Sequence, residues 1–271
     1  MTDTNKAINM ELDQIYNMDC LEGMKQIPDG TIDCVITSPP YDDLRQYGGV
    51  ADGWTFDKFK AIADQLMRVL RDGGICVWVI KDGTNEGFET LSSFKQAIYF
   101  DEIGLRLYDT MIWEKQSAPN PTSNRYYDVF EYMFIFSKGK PKTMNFICDH
   151  LNISAGKISQ KDSDTSNPER RRQREGVRIC PEYSRRTNIW QIAVGQNETD
   201  HPAIFPEILV RDHINSWSNE GDVVLDPFMG SGTTAKVARA LGRHYIGFEI
   251  SAEYCDIIRQ RLEQTKTLFD L

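Results

Sequence analysis

The hydrophobic positions of this chain form short apolar runs that alternate with segments of helical periodicity. The run Val35–Thr37 predicts a buried strand, and the spacing over 57–70 predicts an amphipathic helix. The same two patterns predict further strands at Ile75–Lys81, Tyr108–Trp113, Tyr132–Phe136, Val223–Asp226 and Tyr245–Ile250, and helices at 90–103, 205–217, 233–241 and 252–265. Strands and helices in alternation predict an α/β fold with a mostly parallel sheet covered on both faces.

Residues 138–190 interrupt this alternation. Their polar tracts, such as SQKDSDTSNPERRRQREG, lack any period and predict an exposed or partly disordered insert. We therefore expect the insert 138–190 to separate two halves of one domain, 1–137 and 191–271.

Composition narrows the class of protein. A chain of 271 residues with 40% hydrophobic residues is long enough for one large α/β domain carrying an insert. It has no run of about 18 apolar residues and no signal-like N-terminus, which predicts a cytoplasmic protein without a membrane span. Six scattered cysteines form no C-x-x-C pair, so we expect buried thiols, no disulfide frame and no metal site.

The charge is unevenly distributed. A net charge of −9 argues against a general polyanion binder. Residues 168–186 nevertheless carry seven arginines against three glutamates, a local charge of +4. Such a basic patch on an acidic protein can be a nucleic-acid contact, although a charge run alone is more often a solvated face.

A glycine-rich turn lies in DVVLDPFMGSGTTAKVARALGRHYIGFEI, residues 222–250. We call residues 227–232 the glycine loop. Gly230 and Gly232 allow a tight turn, and the helix that begins near Thr233 offers free N–H groups to an anion. Thr233 stands where a nucleoside-triphosphatase loop needs lysine, whereas G-x-G-x-x-A followed by Glu249 matches a dinucleotide or related nucleotide site.

Asp226 distinguishes between these nucleotide cofactors. Its carboxylate at the end of the strand would repel a pyrophosphate but attract an ammonium or a sulfonium. S-adenosylmethionine offers both cations, a carboxylate for the helix N-terminus and a ribose for Glu249. A purely structural Asp226 that caps its own loop remains an alternative.

The second motif is Ser38-Pro39-Pro40-Tyr41, directly after the first predicted strand. Alone it predicts a rigid turn, but with Asp226–Thr234 it resembles the amino-group DNA methyltransferases of the β class, in which the catalytic motif precedes the cofactor loop. HPAIFPEIL (201–209) and NMDCLEGMKQIPDGTIDCVI (17–36) resemble segments of the same class. The resemblance covers about residues 14–114 and 200–262. It implies a Rossmann-like, circularly permuted methyltransferase fold that uses S-adenosylmethionine.

The resemblance also implies roles for particular residues. The corner Ser38, Pro39, Pro40 and Tyr41 would be catalytic: preorganised acceptors draw the N–H groups of an exocyclic amine into line, and the ring stacks on a flipped base. We expect the cofactor to contact Asp19, His201, Phe205, Asp226, Pro227, Phe228, Gly230, Ser231, Gly232, Thr233 and Glu249. Asp19 could equally well cap a helix. The DNA contacts would be Arg170, Arg171, Arg172, Arg174, Arg178, Arg185 and Arg186.

Serine in the first position of the catalytic motif favours N4 of cytosine over N6 of adenine in that family. We therefore expect a methyltransferase that modifies cytosine N4 in a specific sequence of double-stranded DNA. The alternatives are adenine N6, an RNA or protein substrate, a nicotinamide-dependent oxidoreductase and a non-catalytic DNA-binding module. The sequence is compatible with a partner restriction endonuclease and with a monomer or a homodimer.

Overall fold

The computed structural model describes residues 10–40, 54–116, 124–159, 178–194 and 205–265. The chain forms two compact units. The larger combines Met1–Asn145 with Asn188–Leu271, and the smaller is Phe146–Thr187.

An eight-stranded sheet forms the centre of the larger unit. In spatial order its strands are β1 (Gln14–Asn17), β14 (His244–Glu249), β13 (Val223–Asp226), β2 (Ile32–Thr37), β3 (Leu70–Ile80), β7 (Phe130–Lys138), β6 (Leu105–Glu114) and β12 (Ile189–Gln191). Five of the seven pairings are parallel, and only β7 runs against its neighbours β3 and β6. Consequently β1, β14, β13, β2 and β3 all end at the same edge, which we call the carboxyl edge.

Six helices accompany the sheet in the described ranges. They are α1 (Cys20–Met24), α2 (Phe56–Val69), α3 (Ser92–Glu102), α4 (Glu207–Trp217), α5 (Thr233–Ala240) and α6 (Ala252–Glu263). Every residue of β2 and β13 is buried, as expected for central strands covered on both faces. None of the helices in these ranges combines the length and the apolar character needed to cross a bilayer.

The aromatic core continues toward the carboxyl edge. Trp78 of β3 is fully buried and packs edge-on against Phe100, with 5.1 Å between ring centroids. Its ring also lies 6.3 Å from that of Phe228 in the glycine loop. The core thus supports the loop directly.

The predicted α/β alternation is confirmed, and β13 has the predicted bounds. Among the central sheet and the helices that accompany it, three elements were not predicted: β1, α1 and β12. Their sequences carry too short an apolar pattern; β1, for example, is QIYN with two exposed ends. A short hairpin of β4 (Thr84–Asn85) and β5 (Phe88–Glu89) was also missed.

The smaller unit contains two antiparallel strand pairs. β8 (His150–Leu151) pairs with β11 (Tyr183–Ser184), and β9 (Ile158–Ser159) pairs with β10 (Arg178–Ile179). The second pair places Ser159 opposite Arg178, the described residues on either side of segment 160–177. Four of the seven arginines of the basic tract belong to that segment.

Candidate active site

The two motifs identified in the sequence lie side by side. Strand β13 pairs in parallel with β2, with Leu225 opposite Val35. The Ser-Pro-Pro corner (residues 38–40) and the glycine loop therefore leave the sheet at neighbouring points of the carboxyl edge. A hydrogen bond joins the strand ends that lead into them, since the hydroxyl of Thr37, the last residue of β2, donates to Oδ1 of Asp226, the last residue of β13, at 2.6 Å.

Asp226 organises this junction. Its side chain is buried, and besides the Thr37 bond it accepts hydrogen bonds from the backbone N–H of Phe228 at 3.0 Å and the Thr234 hydroxyl at 2.7 Å. Burial raises the pKa of Asp226 to about 6, although the three hydrogen bonds act in the opposite direction. These contacts fit the loop-capping interpretation, and the contact of Asp226 with a ligand ammonium stays a prediction.

The glycine loop is also tied to the next strand. Gly230 N–H donates to Glu249 Oε2 at 2.9 Å, and Ser251 N–H donates to Glu249 Oε1 at 2.7 Å. Glu249, at the end of β14, is largely buried, and this burial raises its pKa. The acid that the sequence placed 19 residues beyond Gly230 thus touches the loop itself.

Gly232 shows why the loop needs glycine. Its φ is +84°, in the left-handed region. A Cβ at this position would lie 2.7 Å from Ile258 Cγ2 of helix α6. The loop and α6 are therefore packed closely enough that a side chain at position 232 would collide with Ile258.

Helix α5 begins at Thr233, immediately after Gly232. The Thr233 side chain is 3% exposed, and its hydroxyl has no hydrogen-bond partner in the described part of the chain. Buried hydroxyls are nearly always paired. This unpaired hydroxyl at a helix N-terminus fits a ligand that supplies an acceptor, such as a carboxylate.

Asp19 occupies the same edge of the sheet. It follows β1, whose Asn17 lies opposite Glu249 on β14. The Asp19 carboxylate caps α1 by accepting from Leu21 N–H at 2.8 Å and pairs with Lys58 at 3.2 Å. The capping interpretation is therefore observed, and the contact with a cofactor stays a prediction.

Two aromatic residues and one lysine near the site were missed from the sequence. Trp54 packs edge-on against Phe228 at 5.5 Å, and Trp78 approaches the same ring. Both tryptophans belong to segments outside the motifs, as does Lys58. The sequence of each segment carries no sign of such contacts, because the segments come together only when the chain folds.

Of the remaining predicted site residues, the structure describes some and not others. Phe205 is half-buried, directly before Pro206 and helix α4. Tyr41, His201, Arg170, Arg171, Arg172 and Arg174 lie outside the described residues. Arg178 belongs to β10 in the smaller unit.

Two predicted DNA contacts already have partners within the smaller unit. The Arg185 guanidinium lies over the Phe146 ring at 4.4 Å. Arg186 Nε donates to both carboxylate oxygens of Asp149 at 3.1 Å, and this contact lowers the pKa of Asp149. These contacts give both arginines a structural role in the unit, whereas their contact with DNA stays a prediction.

Comparison with known proteins places these features in a family. The N6/N4 family model, described as DNA methylase, matches residues 32–260. The chain is 51% identical over 251 residues to the orphan methyltransferase M.BamHII of Bacillus amyloliquefaciens, a match that covers 88% of this chain and 91% of that protein.

Solved structures show the same fold. The cytosine-N4-specific PvuII DNA methyltransferase has a TM-score of 0.67 at 24% identity, covering 92% of this chain and 85% of that one. The complex of M1.HpyAVI with S-adenosylmethionine has a TM-score of 0.61 at 24% identity, covering 92% and 98% of the two chains.

Proposed function

Since this chain belongs to the N6/N4 DNA methylase family, we propose that it methylates the exocyclic N4 of cytosine in double-stranded DNA. The Rossmann-like methyltransferase fold expected from the sequence is confirmed. The observation that carries the proposal is the 2.6 Å hydrogen bond between Thr37 and Asp226, because it joins the strand end directly before the Ser-Pro-Pro corner to the first residue of the cofactor motif.

The residues of the glycine loop fit S-adenosylmethionine, which supplies the methyl group as a sulfonium. The buried Thr233 hydroxyl, which has no hydrogen-bond partner among the described residues, and the first N–H groups of α5 would receive its carboxylate. Glu249 would accept from the ribose hydroxyls with lone pairs that its two backbone hydrogen bonds leave available.

The adenine ring has an aromatic neighbourhood to enter. Phe228 is half-buried and contacts Trp54, so one part of its ring surface remains for a ligand. Asp19, across the same edge, would accept from the adenine amino group while it keeps its bond to Leu21. We assign both residues to the adenosine end of the cofactor.

The Ser-Pro-Pro corner would orient the target amine. The lone pair of an exocyclic amine is delocalised into the ring, and acceptors on its two N–H groups favour the tetrahedral geometry needed for attack. The Ser38 hydroxyl and the Pro39 carbonyl would be those acceptors. The fixed φ of two consecutive prolines keeps them in place, and such preorganisation favours the transition state. Tyr41 would stack on the flipped base.

Cytosine is the proposed target because the first position of the corner is serine. A hydroxyl is a smaller, neutral acceptor than the carboxylate of aspartate, and cytosine is the smaller of the two candidate bases. Adenine N6 is the alternative within the same family.

The smaller unit and its flanks, 138–190, would read the DNA sequence. We propose that they separate a catalytic half (1–137) from a cofactor-binding half (191–271). The arginines at 170–174 would contact phosphates. The charges of Arg185 and Arg186 would add to this contact without leaving their partners Phe146 and Asp149.

Nucleoside mass spectrometry tests the proposal. The purified protein is incubated with unmethylated genomic DNA and S-adenosylmethionine carrying a deuterated methyl group, and the DNA is then digested. We expect labelled N4-methylcytosine. Labelled N6-methyladenine alone would overturn the base assignment, and no labelled nucleoside would overturn the activity. Ser38→Ala is the matched control and should lose turnover without losing cofactor affinity.

A further inference from the structure

Arg261 of helix α6 reaches the glycine loop from the side of the C-terminal helix. Its Nη1 donates to the Ser231 carbonyl at 2.5 Å and lies 3.2 Å from the Ser231 hydroxyl. Its Nη2 lies 3.3 Å from Glu207 Oε1, and only 14% of the side chain is exposed. One guanidinium thus joins the glycine loop to the first residue of helix α4.

Glu207 receives a second cation. Lys236 Nζ of helix α5 lies 2.5 Å from the same Glu207 oxygen. Helices α4, α5 and α6 therefore meet at one carboxylate. These three side chains carry a net charge of +1, which partly offsets the carboxylates of Asp226 and Glu249 near the N-terminus of α5.

The same face of α6 carries Ile258, one turn before Arg261. Ile258 fills the space that Gly232 leaves open. Helix α6 therefore contacts the loop by packing at Gly232 and by hydrogen bonds from Arg261 at Ser231. Phe205, which the resemblance to the family places at the methionine end of the cofactor, lies two residues before Glu207. Arg261 therefore fixes the distance between the loop and the segment that carries Phe205.

We propose that Arg261 is a positioning residue for the methionine end of S-adenosylmethionine. It acts through Ser231 of the glycine loop and through Glu207 at the start of α4, and so keeps these two parts of the site at a fixed separation. A planar guanidinium suits this task, since it donates to two acceptors in a fixed geometry, and the point charge of lysine cannot reproduce both contacts. This inference rests on the proposed function and extends it to a residue outside both motifs.

The test compares two ligands that share the adenosine end. S-adenosylmethionine has the amino-acid end, and 5′-methylthioadenosine lacks it. For Arg261→Ala we expect the dissociation constant of S-adenosylmethionine to rise about tenfold, because charge-assisted hydrogen bonds are lost. The dissociation constant of methylthioadenosine and kcat at saturating cofactor should stay within about twofold. Titration calorimetry and steady-state kinetics give these values.

Arg259→Ala is the matched control. Arg259 lies on the same helix, is 56% exposed and pairs with Asp256 at 2.5 Å, so its removal changes the charge equally and leaves the loop untouched. We expect both ligands to bind this variant as they bind the wild type. Glu207→Gln should reproduce the ligand-selective loss, and Arg261→Lys should show an intermediate one. These two variants keep the test decisive if Arg261→Ala does not fold.

Equal weakening of both ligands by Arg261→Ala would show a general structural role and overturn the inference. Unchanged affinity for S-adenosylmethionine would do the same. Failure of the wild type to bind S-adenosylmethionine is a different result, because it contradicts the proposed function itself.

Discussion

The carboxylate of Asp226 is buried and accepts hydrogen bonds from Thr37, the last residue of β2, and from Phe228 and Thr234 of its own motif. Burial disfavours its charged form, and the pKa is raised from 3.8 to about 6. A folded-state pKa above the ordinary value means that the folded protein binds this proton more tightly. The contribution of Asp226 to the free energy of unfolding is therefore fully present below pH 3.8 and is lost as the pH rises through about 6.

Asp226→Asn tests this titration. Asparagine keeps Oδ1 for Thr37 and Phe228, and its amide can donate to the Thr234 hydroxyl. Relative to the variant, the wild type should lose stability between pH 4 and pH 7, by about 3 kcal/mol at most for a shift of this size. Urea unfolding of both proteins across this range measures the difference. A constant difference, or one that favours the wild type as the pH rises, would contradict the assignment.

Tyr41 is expected to act on the target base and not on the cofactor. Tyr41→Ala should lower kcat about 10- to 100-fold, because stacking of a base on an aromatic ring contributes about 1–3 kcal/mol. The dissociation constant of S-adenosylmethionine should be unchanged. Tyr41→Phe keeps the ring and should retain most of the turnover. Equal losses in both variants would assign the role to the hydroxyl group.

The glycine loop depends on backbone conformation as well as on hydrogen bonds. Gly232→Ala would combine left-handed strain with a collision at Ile258, and we expect a loss of about 2–4 kcal/mol in stability and weaker cofactor binding. Gly221→Ala is the matched control, since Gly221 has φ +80° and nothing within 4 Å of its Cβ position. It should cost only about 1–2 kcal/mol. Calorimetric melting of both variants measures the difference, and equal losses would show that the collision is relieved.

Most strands and helices of the larger unit could be predicted because each has a complete local signal. Helix α2, for example, has apolar residues at helical spacing and begins at Phe56, one residue before the predicted start. Strand β1 has no such signal, since QIYN forms a strand only by pairing with β14. Local pattern and long-range pairing are different sources of structure, and only the first can be read from the chain.

The same distinction holds at the site. The Ser-Pro-Pro corner and the glycine loop are each a continuous stretch of sequence, so both could be identified from the sequence alone. The Thr37–Asp226 bond joins residues 189 positions apart, and Arg261 reaches Ser231 from 30 positions away. These contacts decide how the motifs are held, and they exist only in the folded chain. The sequence allowed a loop-capping role for Asp226 as one alternative. The support for this role comes from the three hydrogen bonds that Asp226 accepts in the folded chain.

Positive charge is concentrated in one segment of an otherwise acidic chain. The chain carries −9 overall, although residues 168–186 carry seven of its 31 basic residues. The pairing of β9 with β10 places Ser159 opposite Arg178, the residues on either side of segment 160–177. A basic segment on an acidic protein can attract DNA locally while the rest of the surface repels it, so binding would be confined to the orientation that presents this segment.

Salt dependence measures this contact. Replacing Arg170, Arg171, Arg172 and Arg174 by glutamine should weaken binding to duplex DNA, and the slope of log Kd against log salt should fall by about 2 to 4, since each phosphate contact contributes about 0.9. The control replaces Lys25, Arg106, Arg211 and Arg259, whose side chains are all more than half exposed, by glutamine. It removes the same charge from the larger unit and should leave the slope nearly unchanged. Fluorescence anisotropy across a salt series distinguishes the two variants, because equal slopes would mean that net charge, and not a local contact, attracts the DNA.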